Sequence, residues 1–418
     1  MKTGSSVASL PNPTPLLFLI TAIAILAWPD AVGLTALIVM GSIAIPALVI
    51  WMGKSPPAAI IALLASSAAP RLFVEIAGLK ARPEHIVSGL MVFVAIFLWK
   101  KRAEPVRWMK ADLWLVVYIA FIFFSSILSI DPRQTIKWAL QQVLAILPYF
   151  WLRLLVTDRE RFRWAVRVLL AVGAVIAIYA LVCCYSHIFF GTSFGVEVEQ
   201  YGDVPATYGL QFEANILGAY GAALAIMMLV MYLEVRSRKY LWGFAFCGLV
   251  TMAISLSRAA LGALCIVLLL AAFYAFRRGL LKSKVVFKLA AASLGAFLLV
   301  APIVLEHFKE RFSTIDVADP TADPNTLTRA VQTFSAFDEV AKHPVFGGGV
   351  SSFQLAFDWQ SLGTGWQEQG WIGNTELRVL HDTGAVGLLV FLVFIVGLVY
   401  QAWKLLKREF SAELSALL

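Results

Sequence analysis

Charge is what this sequence has least of. Only 14% of its 418 residues are Asp, Glu, Lys or Arg, against 60% that are Ala, Val, Ile, Leu, Met, Phe, Trp, Tyr or Cys. A soluble domain carries about a quarter charged residues, so a soluble globular protein is excluded. Disorder, collagen and coiled coil fall with it. Cysteine is scarce too: Cys183, Cys184, Cys247 and Cys265 all lie inside apolar stretches, which offers neither a disulfide framework nor zinc-ligand spacing. Histidine occurs singly at 85, 187, 307, 343 and 381. A metal site therefore has little to stand on, although a carboxylate-only site stays open. No phosphate-binding loop, dinucleotide fingerprint, HExxH or CxxC pair is present. Nor is there an internal repeat of the kind that marks the inverted halves of many secondary transporters.

What the chain has instead is apolar length, with a mean hydropathy of +0.80. A membrane-crossing helix needs roughly 20 predominantly apolar residues. Runs of about that length fall near 14–28, 33–51, 57–79, 86–99, 112–130, 135–155, 164–189, 208–233, 241–256, 259–276, 285–304 and 383–403. The expected fold is an all-α integral membrane protein of about twelve transmembrane helices. The third run is interrupted by Pro56, Pro57 and Pro70 and holds Arg71 and Glu75, so it reads equally as two short or re-entrant pieces. The first run carries only Lys2 ahead of it and no clean small-x-small cleavage site, so it reads as a retained span and not a signal peptide.

Twelve spans put both termini on one side. That side collects 23 of the 34 Lys and Arg residues and leaves 11 for the other. The positive-inside rule then makes the termini cytoplasmic. The net charge of +8 is a topology signal and requires no nucleic acid. Trp28, Trp51, Trp99, Trp114, Trp242 and Trp403 lie at span ends, as an interfacial belt predicts.

The expected organisation is eleven spans within 1–304, an extracytoplasmic loop over 305–375, and the last span with a cytoplasmic tail over 376–418. The loop holds nine Asp and Glu against four Lys and Arg. Within it Leu327, Ala330, Val331, Phe334, Phe337, Val340 and Ala341 recur at helical spacing, which predicts an amphipathic helix from about Asn325 to Lys342. Pro344 stops it and Gly347-Gly348-Gly349 turns the chain. A loop this long is usually functional or disordered, and its tryptophans 359, 366 and 371 favour function.

Polar residues at the outer ends of spans are the candidates for chemistry. Ser255-Leu256-Ser257-Arg258 joins two spans without a domain-sized loop. Arg258 opens the following helix, so its guanidinium and the free N–H groups of that helix can face one anion; the alternative is a snorkelling interfacial arginine. Tyr208–Asn215 opens another span. Glu213 there can orient or deprotonate a sugar hydroxyl, or simply favour the positive end of the helix dipole. Asn215 lies one turn away at most. Arg329 falls on the polar face of the loop helix, where a solvated role is the plainer reading.

The order Ser257-Arg258-Ala259, basic turn, span, outer loop with Arg329 and His343-Pro344-Val345-Phe346-Gly347-Gly348-Gly349, then Asn374 separated by nine residues from Gly384 with Gly387 beyond, resembles the bacterial O-antigen ligase and O-antigen polymerase superfamily. The resemblance covers about residues 200–400 by motif and the whole chain by topology. It implies a GT-C-like membrane glycosyltransferase of the inner membrane with its large loop periplasmic. The implied donor is an undecaprenyl-diphosphate-linked glycan, the acceptor a glycan or lipid A–core, with no cofactor, no metal and no nucleic acid, and with other polysaccharide-assembly proteins as conceivable partners. It implies that Arg258 and Arg329 engage diphosphate or acidic sugar, with Asn215, Asn374 and His343 as further substrate-binding candidates. The ligase signature has His immediately before the residue matching Asn374, where this chain has Gly373. The ligase's other outer arginine, expected just before Tyr208–Asn215, has no counterpart, because no Arg occurs between Arg167 and Arg236. Polymerisation is therefore favoured over ligation, and the base falls to Glu213, with Glu376 in reserve. Transport of a lipid-linked saccharide is the competing class, though it calls for mid-bilayer charges that are few here.

Overall fold

The structure is a computed structural model that describes residues 45–76, 79–100, 108–197, 206–277, 282–314, 324–356 and 372–408. The expected run at 14–28 and most of that at 33–51 lie outside these residues. Among the described residues the protein is helical apart from two short hairpins. Six helices are long and apolar enough to cross a membrane by length and composition, and four more apolar helices are shorter. The structure is therefore that of a multi-pass, all-α membrane protein.

In chain order the elements are α1 (Ile45–Lys54), α2 (Pro56–Ser66), β1 (Val74–Ile76), β2 (Leu79–Ala81), α3 (Pro83–Lys100), α4 (Lys110–Ile127), α5 (Pro132–Leu155), α6 (Arg159–Phe190), β3 (Val196–Glu197), β4 (Ala206–Thr207) and α7 (Ala214–Val235). Next come α8 (Arg238–Trp242), which runs through π-helical turns over Gly243–Val250 into Thr251–Ile254, then α9 (Arg258–Arg277), α10 (Ser283–Thr314), α11 (Pro324–Lys342), α12 (Phe353–Ala356) and α13 (Thr375–Arg408). The prolines of the third apolar run have a clear effect. Ser55 caps α2 by accepting from the Ala58 N–H at 3.3 Å, and Pro56 takes the first helical position, where its missing N–H costs nothing. The helix ends at Ser66, ahead of Pro70. The run is thus a short helix followed by the β1–β2 hairpin, in which Val74 pairs with Ala81.

The chain divides into two compact units, residues 1–104 with 147–310 and residues 105–146 with 311–418. In the first, α7 packs along the π-helical turns and along α9. Small residues allow this approach, as in many membrane interfaces: a Cβ on Gly248 would lie 2.6 Å from the Ala225 Cα. Two apolar clusters support the unit. One gathers Met52, Ile60, Val87 and Met91. The other gathers Ile176, Leu217, Ile254 and Val300.

In the second unit α13 packs along α4, with α11 laid against α13. The last helix is broken at Gly384, whose φ of 69° and ψ of −174° belong to a region only glycine visits readily. The break frees backbone groups that a membrane protein must satisfy internally. The segment after α11 does so. The Gly348 N–H donates to the His381 carbonyl at 2.8 Å and the Gly349 N–H to the Asp382 carbonyl at 3.1 Å, while the N–H groups of Ala385 and Val386 donate to the carbonyls of Pro344 and Val345. The His343–Gly349 motif and the Asn374–Gly387 motif are therefore two halves of one device, a strap across a broken helix. A methyl on Gly384 would collide with the Val345 carbonyl. Gly384→Ala is expected to destabilise the protein by roughly 1–3 kcal/mol, measured as a lower Tm of the detergent-solubilised protein. Gly262→Ala, where the new methyl meets nothing within 4 Å, should leave the Tm unchanged.

Candidate active site

Each unit holds a set of the residues singled out from the sequence. In the first, Ser257 is the N-cap of α9. Its Oγ accepts from the Ala260 N–H at 3.3 Å and its carbonyl from the Leu261 N–H at 3.0 Å. Arg258 is thus the first helical residue, exposed at the positive end of the dipole. The turn that puts it there is tight: Leu256 has a φ of 53°, and the Ser257 N–H donates to Ser255 Oγ at 3.3 Å. This turn lies against the start of α7. A Cβ on Gly218 would sit 2.5 Å from Ser255 Oγ and 2.7 Å from Ser257 Cβ. Between α7 and α9 runs a groove of about 330 Å³, apolar along Ala222, Ile226, Leu264 and Val267, with Asn215 and Ser257 as its polar residues. Asn215 and the helix start that carries Arg258 are brought together here.

Glu213 occupies the N-cap of α7 with extended backbone (φ −142°, ψ 155°), yet its side chain makes no capping hydrogen bond. The carboxylate is half-buried. The segment before it is fixed from a distant part of the chain. The Arg71 N–H donates to the Leu210 carbonyl at 3.3 Å, and Gln211 Nε2 donates to the Ala68 carbonyl at 3.1 Å. The Arg71 guanidinium lies 3.9 Å over the Tyr208 ring, and that of Arg82 4.1 Å over Phe212. Arg82 also faces Glu84 at 3.7 Å. Burial pulls the Arg82 pKa below its ordinary value, and Glu84 pushes it back. Sequence reasoning placed neither arginine in the site. The signal was Arg71 itself, a charge inside an apolar run.

In the second unit Asn374 caps α13, its Oδ1 accepting from the Leu377 N–H at 2.8 Å. Glu376 is exposed in the first turn. His343 is exposed at the end of α11, its carbonyl accepting from the Gly347 N–H at 3.0 Å. Arg329 lies on α11, and its side chain is outside the described residues. His381 and Asp382 form a buried pair, Nδ1 to Oδ1 3.0 Å, and that carboxylate oxygen also accepts from the Ser351 N–H at 3.2 Å. This pair steadies the strap at the helix break, a role that the sequence alone did not disclose. Among the described residues, no group of three or more His, Cys, Asp or Glu is placed to hold a metal.

Residues 243–395 match the family model described as O-antigen ligase. The match supports a likeness to the O-antigen ligase and polymerase superfamily. Members of this family are glycosyltransferase-like enzymes. The O-antigen ligase domain spans about a third of the chain and takes in Arg258, Arg329, the strap and the broken last helix. Glu213, Asn215 and Arg71 precede it. A search of curated proteins and a search of solved structures each gave no match.

Proposed function

We propose that the protein is a polysaccharide polymerase that transfers an undecaprenyl-diphosphate-linked glycan to an acceptor glycan on the outer face of the bacterial inner membrane. Both termini are then cytoplasmic and the loop over 305–375 periplasmic. The observation that carries the reading is Arg258, set by the Ser257 cap at the positive start of α9 within the segment that matches the O-antigen ligase model, where Ser257 and Asn215 line one groove. A guanidinium and a helix N-terminus aimed at one place suit a diphosphate leaving group.

In the reaction the acceptor hydroxyl attacks the anomeric carbon of the donor. A glycosidic C–O bond forms, the bond from that carbon to the diphosphate oxygen breaks, and undecaprenyl diphosphate departs with the electron pair. Glu213 takes the hydroxyl proton. Arg258 stabilises the charge developing on the diphosphate. Asn215 is a further substrate-binding residue of the first unit, Arg329, Asn374 and His343 are substrate-binding candidates of the second, with Glu376 the carboxylate in reserve there, and no metal takes part.

The alternative is ligation to lipid A–core, and Gly373, at the position of the ligase histidine, is what favours the polymerase. Gly373 is exposed, and among the described residues a Cβ there meets only Gln332 Oε1, at 3.8 Å. Purified protein supplied with undecaprenyl-diphosphate oligosaccharide is expected to yield a ladder of longer lipid-linked glycans. A single transfer to added lipid A–core would identify a ligase, and passage of unconsumed donor across the bilayer a transporter. Gly373→His should leave the ladder in place and create no lipid A–core transfer. Gain of that transfer would mark the chain as a ligase relative lacking one residue.

A further inference from the structure

We propose that Arg71 is a second anion-binding residue of the donor site, holding a phosphate of the polyprenyl diphosphate at the end of α7 against which the start of α9 rests. This rests on the functional reading above and adds to it a residue more than 130 positions upstream of the segment it serves.

Three observations carry it. First, the chain supplies no arginine of its own near Tyr208–Asn215, yet two guanidiniums arrive there from the α2–α3 connection, Arg71 over Tyr208 and Arg82 over Phe212. Second, their environments differ. Arg82 is half-buried, facing Glu84 and lying over Phe212. Arg71 is exposed. Its guanidinium carbon lies 3.9 Å over the Tyr208 ring, a contact made through the face of the group, and the in-plane N–H donors are the ones that take a phosphate two-pronged. Third, the arginine is held in place before any ligand arrives. The pairings of Arg71 with Leu210 and of Gln211 with Ala68 fix both strands of the contact, so little ordering remains to oppose binding. Leu210 lies three residues before Glu213, and Gly218, against which Ser257 rests, five after it. Five residues of α7 amount to roughly 8 Å of rise, so Arg71 and the start of α9 serve the same end of α7.

The test is competitive inhibition of the purified protein by undecaprenyl diphosphate, with Arg258→Ala run beside it. Arg71→Gln is expected to raise the inhibition constant and the donor KM by about tenfold or more, the loss of one charged two-pronged contact, with a smaller change in kcat. A merely structural Arg71 would lower the Tm and leave both constants alone. Donor consumed by the wild type with an inhibition constant for Arg71→Gln within twofold of it would overturn this inference and spare the functional reading. No consumption of donor by the wild type would take down both. Should Arg71→Gln lose its melting transition, Arg71→Lys replaces it. A rise of about threefold is then expected, because a point charge cannot reproduce the planar fork, and an unchanged constant overturns the proposal.

Discussion

Arg258→Ala is expected to lower glycan transfer by roughly 10²–10³, or about 3–4 kcal/mol of transition-state stabilisation. Arg258 is the first residue of α9, and the Ser257 cap and the left-handed Leu256 hold that helix start against α7. A charge placed there meets a leaving diphosphate together with the helix's own N–H groups. Arg258→Lys should recover little, since an ammonium lacks the paired donors. The measurement is the initial rate of lipid-linked product formation by variants whose Tm matches the wild type. Near-wild-type rates from a folded Arg258→Ala protein would remove the residue from the site.

For Glu213→Gln the expected loss is larger in range, roughly 10²–10⁴ in turnover, with donor affinity largely intact. Glutamine keeps the shape and the hydrogen-bonding oxygen but cannot accept the proton. Because the Glu213 side chain makes no cap bond to α7, the change should not unravel the helix start. A general base must be ionised to act, so the wild-type rate should fall as pH drops through its pKa, and the variant should lack that acidic limb. A rate that survives the substitution would mean that stabilisation of the diphosphate alone drives transfer. A lower Tm with an unchanged rate would make Glu213 a partner of the helix dipole and nothing more.

Apolar length and the scarcity of charge made the membrane class legible, because hydrocarbon leaves few alternatives to the helix. The superfamily was legible from Ser257-Arg258-Ala259 and the spacing of Asn374 to Gly384, which the match over 243–395 supports. Hydropathy could not show that the run at 57–79 is a short helix and a hairpin, since a window average is blind to where prolines let a chain turn. It also treated 383–403 as plain helix. The break at Gly384 depends on partners at 344–349, and a contact between residues so far apart leaves no periodicity in either segment. The same holds for Arg71 and Tyr208. Local pattern reported the charge, and only the fold reported its neighbour.

The strap across the last helix also bears on how such chains can be recombined. Pro344, Val345, Gly348 and Gly349 supply the hydrogen-bonding partners for residues 381–386, so neither segment carries a complete backbone by itself. An exchange of this region between relatives would have to move both segments together, or place both of its junctions between Gly349 and Asn374, so that the strap and the broken helix stay with one parent. Joined anywhere within the strap, a chimera would pair one parent's loop with the other parent's broken helix, and its fate would turn on whether those few amides and carbonyls still line up.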